Sequence, residues 1–172
     1  YPPNTSNTAE ETLSNIITNK LGFVYQWSAA MNGSITAGAQ GICPTGWHIP
    51  TDTEQNTLDQ YLTDSGQTCN AARSDWDCSA AGTKLKSGGT SGFNDILAGW
   101  RGFNGNFNVR TSGASIWSSV EWGGYAWRRS LDSGYATVAR SRPIKAFGFS
   151  VRCLKDSVGS PTVTDINPTS GS

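Results

Sequence analysis

The sequence contains little charge and no long apolar run. Only 15% of its 172 residues are charged, and the formal net charge is zero. This balance argues against a nucleic-acid binder or a protein that binds acidic membranes. No run approaches the roughly 18 apolar residues of a membrane span, so we expect no membrane insertion by this chain. A chain of this length can bury roughly 70% of its unfolded surface and form one domain with short flanks.

Catalytic and metal-binding side chains are also scarce. His48 is the single histidine, and its place beside a tryptophan and ahead of a predicted helix indicates a structural residue rather than a general base. No Cys-x-x-Cys motif occurs, which disfavours a zinc site. Asp75 and Asp77 are carboxylates of the kind that calcium binds, but nothing else in the sequence supports a calcium site. We therefore predict no enzymatic activity, no cofactor and no metal site.

Against this background, four cysteines, 20 glycines and seven tryptophans stand out. An even number of cysteines in a chain rich in Asn, Ser and Thr predicts two disulfides and a secreted or cell-surface protein. Three pairings are possible. Cys69 and Cys78 lie close together in a polar stretch, which favours a short bridged loop and leaves Cys43 to pair with Cys153. The long bridge would tie the first third of the chain to its last strand.

The first third of the chain has helical periodicity. Residues 8–22 combine a capping box with an apolar stripe and a terminal glycine, which predicts a helix. Residues 23–28 alternate like a strand. A second capping box, formed by Thr51 and Glu54, predicts a helix over 51–66. We expect the buried face of this helix to be formed by Leu58, Tyr61 and Leu62, with Gly66 at its end.

From residue 83 onward, short apolar pieces alternate with Gly, Ser and Asn, which predicts short strands and long loops. Helices followed by irregular antiparallel strands define an α+β fold. In the last strand, Phe149, Val151 and Cys153 are expected to share one face. We expect four tryptophans to supply buried area that supports the loops: Trp47, Trp100, Trp117 and Trp127.

The chain divides into three parts. Residues 1–21 are predicted to be an N-terminal helical flank, and residues 22–157 the main domain. Residues 158–172 are rich in Ser, Thr and Pro. They are either a linker or the start of an immunoglobulin-like TIG repeat, whose opening strand they resemble.

Five motifs occur in order along the chain: GICPTGWHIPTDTEQNTL, GTKLKS, SGFNDILAGWR, IWSSVE and GFSVRC. As an ordered set they resemble the Fibrobacter succinogenes major paralogous domain, a bacterial family with a C-type-lectin-like fold. The resemblance covers about Gly22 to Asp156. It implies two helices, short irregular antiparallel strands and long loops, stapled by the disulfides.

The segment from Ala126 to Cys153 has regular ends and an interior without a steady period. The family is similar to the variable proteins of diversity-generating retroelements, which display a C-terminal segment whose adenine-containing codons are mutated. In that pattern a fixed frame alternates with changeable slots. The frame here consists of Ala126, Trp127, Arg129, Leu131, Val138, Arg140, Lys145 and Gly148 to Cys153. The resemblance implies that ligand is bound by the slots, which are Arg128, Ser130, Asp132, Ser133, Gly134, Tyr135, Thr137, Ala139, Ser141, Arg142, Pro143, Ile144, Ala146 and Phe147.

The residue types in the slots agree with this pattern. None of the fourteen is Trp, Met, Gln, Glu or Lys, which an Asn codon ending in a pyrimidine cannot become when its adenines are randomised. Seven Lys or Arg and one acid occur from Trp127 to Lys155, which favours an acidic patch on the partner. Arg129, Arg140 and Arg152 are expected to be structural. We expect the anchors to be Tyr135, Phe147, Arg128 and Arg142.

The resemblance implies a non-enzymatic display protein, secreted or on the cell surface, that binds an unidentified protein or glycan on another cell or a phage. One alternative is a surface lectin or adhesion paralogue with a fixed ligand. A calcium-dependent lectin usually needs Glu-Pro-Asn and Trp-Asn-Asp, however, and this chain has only Phe93-Asn94-Asp95. A formylglycine-generating oxidase shares the turn GW-x-x-P-x-x-x-E but needs reactive cysteines. That alternative is disfavoured because all four cysteines have expected partners.

Overall fold

A computed structural model describes residues 22–157. The predictions for the flank over 1–21 and for the segment over 158–172 lie outside the described residues. The helices are α1 (Trp27–Ala30), α2 (Asp52–Leu62) and α3 (Ala81–Leu85). The strands are β1 (Tyr25–Gln26), β2 (Trp47–His48), β3 (Trp76–Asp77), β4 (Ala98–Arg101), β5 (Phe107–Asn108), β6 (Gly113–Trp122), β7 (Tyr125–Asp132), β8 (Val138–Ser141), β9 (Gly148–Phe149) and β10 (Leu154–Lys155).

The main sheet follows the order β1–β9–β4–β6–β7–β8–β3, with β5 paired to β4, while β2 and β10 form a separate two-stranded sheet. The α+β class and the short strands are as predicted. The expectation of purely antiparallel pairing is wrong at β4 and β6, which are parallel. The reason is that the chain reverses into β5 and reverses again before β6, so β6 runs in the direction of β4.

Two apolar clusters pack against the strands. The first contains Trp27, Trp117 and Phe149 together with Cys43, and the second contains residues of α3, β6, β7 and β8. Trp117 is fully buried, as expected, and so is Trp27, whose indole nitrogen donates to the Ser118 carbonyl at 2.9 Å. Helix α1 begins at this anchored tryptophan. The strand predicted over 23–28 is therefore shorter and is limited to β1.

The other predicted core tryptophans are less buried. Trp100 and Trp127 are half-buried. Trp47 is 37% exposed, which contradicts the prediction that it is a core residue. It lies in the small β2–β10 sheet opposite Lys155.

Helix α2 begins with the predicted capping box, since the Thr51 side chain accepts from the Glu54 amide and the Glu54 carboxylate accepts from the Thr51 amide. The helix ends at Leu62 rather than near Gly66, because Thr63 is extended and its hydroxyl bonds the Asp59 carbonyl at 2.8 Å. Tyr61 is 84% exposed, so its predicted burial is wrong. The face turned to the protein is mostly polar instead: Asp52, Gln55, Asn56, Asp59 and Leu62.

Both predicted disulfides are confirmed, Cys43–Cys153 and Cys69–Cys78. The long bridge holds the segment around Cys153 near the Gly46–Trp47 turn, where the Asp156 amide donates to the Gly46 carbonyl at 2.9 Å. The predicted last strand is divided into β9 and β10. Its alternating residues Phe149, Val151 and Cys153 still pack in the first cluster.

Candidate binding face

The register of β7 and β8 separates the slots from the frame. In the ladder between these strands, Arg128 lies opposite Ser141 and Ser130 lies opposite Ala139, so slot residues face slot residues. Between them, Arg129 pairs with Arg140, so frame lies opposite frame. Because side chains alternate across a strand, these slots share one face of the hairpin and the two frame arginines share the other.

On the frame face, the arginines bind the buried carboxylates of α2. The Arg129 guanidinium lies 2.6 Å from Asp59 and 2.9 Å from Asp52, and that of Arg140 lies 2.7 Å from Asp52. Arg73 adds a contact of 2.6 Å to Asp59. Burial alone would raise the pKa of Asp52, but hydrogen bonds from Arg140 and Arg129 outweigh it and hold the pKa below its usual value. These ion pairs give Arg129 and Arg140 the structural role expected of them.

On the slot face, a cleft of about 290 Å³ opens between β3, β4, β7 and β8. One wall is Trp76, whose ring stacks on slot residue Tyr135 with centroids 4.5 Å apart. Trp100 lies on the β4 side. Five slot residues line the cleft: Arg128, Ser130, Asp132, Ala139 and Ser141.

Arg128 contacts only neutral groups in this cleft. Its guanidinium donates to the hydroxyls of Ser115, Ser130 and Ser141, the last at 3.1 Å. It also lies 5.0 Å from the ring centroid of Phe149. Burial away from water lowers the pKa of Arg128 to about 10.

The first slot loop, residues 133–137, is held through its backbone. Lys86 donates to the carbonyls of Asp132 and Tyr135, at 2.8 Å each. A Cβ atom on Gly82 would lie 2.1 Å from the Thr137 carbonyl oxygen, so only glycine allows the loop to approach this closely. The side chains of the loop are not needed for either contact.

The second slot loop, residues 142–147, is held in the same way. The Ala126 amide donates to the Pro143 carbonyl at 3.1 Å, and the Trp27 amide donates to the Lys145 carbonyl at 3.2 Å. The side chain of Lys145, a frame residue, pairs with Glu121. Frame residues and backbone atoms therefore fix both loops.

The slots differ in exposure. Ser133, Gly134, Tyr135, Arg142 and Ala146 are exposed, and Ser130 and Ala139 are buried on the floor of the cleft. The others are half-buried: Arg128, Asp132, Thr137, Ser141, Pro143, Ile144 and Phe147.

The expected anchors also differ from one another. Arg142 lies over the rings of Trp122 and Trp127, at 4.5 and 4.7 Å. Phe147 packs instead against Phe149, with centroids 5.6 Å apart, at the edge of the first core cluster. We therefore assign Phe147 a share of the protein's stability, which a free recognition residue would not have.

The basic character expected over 127–155 is reduced by internal pairing. Arg129 and Arg140 face α2, and Lys145 pairs with Glu121. Arg152 donates to the Phe93 carbonyl, away from the slot cleft. Among the slots, the cations available to a partner are Arg128 and Arg142.

His48 connects two distant parts of the chain. Its Nδ1 lies 2.6 Å from an Asp156 oxygen, and its Nε2 lies 3.1 Å from a Glu54 oxygen. Burial lowers the pKa of His48, but the hydrogen bonds to the two carboxylates outweigh burial and leave the pKa raised. The histidine therefore links α2 to the segment that follows β10.

The acidic residues near the short disulfide are also used locally. Asp75 accepts from the Trp76 amide at 2.9 Å, and Asp77 accepts from the Asn70 amide at 2.8 Å. Within residues 22–157, no three His, Cys, Asp or Glu side chains are grouped so that they could hold a metal ion.

Three residues that shape the face were missed by sequence reasoning. Trp76 forms a wall of the cleft, but its place between Asp75 and Asp77 in the sequence gives no sign of that role. Ser115 belongs to a strand stretch that gives no sign of a role at the face. The one available signal for Lys86 was its place in the GTKLKS motif.

These observations define a disulfide-bridged α+β domain that presents a concave face on a hairpin. Two disulfides are typical of extracytoplasmic proteins. No helix in the described range combines the length and apolar character that crossing a membrane requires. Residues 2–155 match the family described as the Fibrobacter succinogenes major domain, and the chain belongs to this family. No match was found among curated proteins or among solved structures.

Proposed function

We propose that this is a non-enzymatic binding protein with a C-type-lectin-like fold, whose slot residues form a combining face diversified by a retroelement. The observation that carries the proposal is the anchoring of the slot loops. Lys86 binds carbonyl groups of the first loop, which packs closely against Gly82. Main-chain hydrogen bonds and the Lys145–Glu121 ion pair hold the second loop. These contacts use backbone atoms and frame residues, so they remain when most slot side chains change; the exceptions are Asp132, which accepts from the Gly134 amide, and Phe147, which packs on the core.

The burial pattern supports the same proposal. Ser130 and Ala139 are the buried slots, and both are small residues opposite each other in the sheet. Among the larger slots, Tyr135 and Arg142 are exposed and Arg128 lines the cleft, whereas Phe147 packs at the edge of the first core cluster. The ion pairs of Arg129 and Arg140 with α2 carry the stability on the other face. Binding residues placed on loops over a rigid scaffold are a general solution for variable recognition.

The proposed partner is a protein or glycan on another cell or a phage, met outside the cytoplasm. Tyr135 is an exposed aromatic residue and Arg142 an exposed cation, and both residue types are common in recognition of such surfaces. All four cysteines are in disulfides, which leaves no thiol for an oxidase reaction.

A surface lectin or adhesion paralogue with a fixed ligand is the second candidate. The formed cleft of about 290 Å³ with its tryptophan wall favours it. The flanking DNA separates the two candidates. A reverse-transcriptase gene and a near-copy of Ala126–Cys153 rich in Asn codons would support diversification, and their absence would support a fixed ligand.

The display role can be tested with two matched libraries. One randomises four exposed slots, Ser133, Tyr135, Arg142 and Ala146, and the control randomises four exposed positions on α2, Thr53, Thr57, Gln60 and Tyr61. Both are selected for binding to lysozyme as a probe protein. We expect binders from the slot library, with melting temperatures within about 4 °C of the parent. If slot variants mostly unfold, or if both libraries give binders equally, the display function is wrong.

A further inference from the structure

The cleft on the slot face contains a cation whose charge is not neutralised. Arg128 forms no ion pair within 4 Å with any carboxylate in residues 22–157, and its donors go to three serine hydroxyls. The next residue, Arg129, contacts two aspartates. Since buried charges are normally paired, an unpaired guanidinium at a cleft indicates a missing counter-charge.

The surroundings of Arg128 fit an incoming group. Ser130, Ala139 and Ser141 are small, so the cleft above the guanidinium keeps its volume of about 290 Å³. The hydroxyls of Ser130 and Ser141, which both line the cleft, can donate when an acceptor arrives. Guanidinium and hydroxyl donors together suit a planar oxygen acceptor.

Two carboxylates on the cleft limit the charge of the ligand. Asp75 and Asp132 line it, and their oxygens accept hydrogen bonds from the amides of Trp76 and Gly134. Like charges repel, so a phosphate or sulfate dianion is disfavoured relative to a single carboxylate. The surface around the cleft includes exposed Tyr135, a residue type common in protein interfaces.

We propose that this cleft is an anion-binding subsite in which Arg128 receives the carboxylate of an Asp or Glu side chain from a protein partner. The proposal rests on the proposed binding function, because Arg128 is one of the slots. It adds the chemistry of the ligand group: a monoanionic carboxylate, held by the guanidinium and the serine hydroxyls between tryptophan walls. Charge-assisted hydrogen bonds of this kind are the strong ones in recognition.

Propionate tests the subsite, since it is the side-chain fragment of glutamate, and propionamide is its neutral match. The intact protein is titrated with each at constant ionic strength, while NMR follows the Nε–H signal of Arg128 and the indole N–H signals of Trp76 and Trp100. We expect saturable shifts with propionate and none with propionamide. Arg128→Gln should weaken propionate binding at least about tenfold. Arg110→Gln, an exposed charge change outside the cleft, should leave it unchanged.

Several outcomes would overturn the inference. They are the absence of a saturable shift with propionate, equal shifts with propionamide, and an Arg128→Gln variant that binds propionate as the parent does. Glucuronate is titrated in parallel. If it binds about tenfold more tightly than propionate, the ligand of the cleft is an acidic sugar and the proposed acidic protein side chain is wrong. The lysozyme libraries report separately on the display function, so either conclusion can fail while the other stands.

Discussion

Two neighbouring arginines on β7 are in opposite electrostatic environments. Arg129 is 4% exposed and contacts Asp52 and Asp59, whereas Arg128 faces hydroxyls and an aromatic ring. The alternation of the strand alone causes this difference. The sequence could assign these arginines to frame and slot by family pattern, but it could not show which one had a carboxylate partner, because those partners lie some 70 positions away on α2.

We predict that Arg128→Gln does not destabilise the protein. An unpaired cation in a cleft is costly, and a neutral side chain removes that cost. Ser115 and Ser130 remain bonded to each other after the change. The free energy of unfolding in urea should stay within about 0.5 kcal/mol of the parent or rise.

The neighbouring substitution Arg129→Gln is the matched control for this measurement. It leaves two buried aspartates short of a partner and should cost about 3–5 kcal/mol. A loss of more than about 1 kcal/mol for Arg128→Gln would mean that Arg128 is a structural residue, which contradicts its assignment as a binding group.

The helix α2 buries polar side chains. Sequence reasoning located the helix and its capping box but expected an apolar face with Tyr61, which is exposed. An apolar stripe is the usual sign of a buried face. Here Asp52 and Asp59 face arginines of the sheet and of the short disulfide loop, so charge pairing replaces apolar contact. A rule based on apolar periodicity cannot detect such a face.

We predict that Asp59→Asn destabilises the protein by about 3–5 kcal/mol, because Arg73 and Arg129 each lose a charged partner while staying buried. Urea denaturation measures the change. Thr57→Ala, on the exposed side of the same helix, should stay within about 0.5 kcal/mol of the parent. Similar losses for the two variants would show that the buried ion pairs do not hold α2 against the hairpin.

The slot loops depend on another element whose role was not predictable. Lys86, just after α3, reaches two carbonyls of the first loop, and Gly82 gives that loop its space. These contacts involve backbone atoms of the loop, so they leave no trace in its own residue types. The slot pattern therefore predicts variable loops but does not show what fixes their shape.

For the whole molecule, sequence reasoning gave the α+β class, the order of short strands and both disulfides. These features depend on turn chemistry, alternation and cysteine spacing, which are local signals. The parallel pairing of β4 with β6 and the cleft walled by Trp76 depend on contacts between distant segments. No local pattern encodes such contacts, so the sequence could not predict the cleft on the slot face.

The two disulfides should separate stability from binding. The Cys43–Cys153 bridge closes a loop of 110 residues and the Cys69–Cys78 bridge one of 9. Each bridge is removed by replacing its two cysteines by serine. From loop-closure entropy, we expect the free energy of unfolding to fall by about 4–5 kcal/mol without the long bridge and by about 2–3 kcal/mol without the short one. The short loop carries Trp76, a wall of the cleft, so its loss should weaken propionate binding more than loss of the long bridge does. Urea denaturation measures the loss of stability, and the propionate titration at low temperature measures the loss of binding. The opposite ranking of the two bridges in either measurement would contradict the prediction that the long bridge mainly serves stability and the short one mainly serves the cleft.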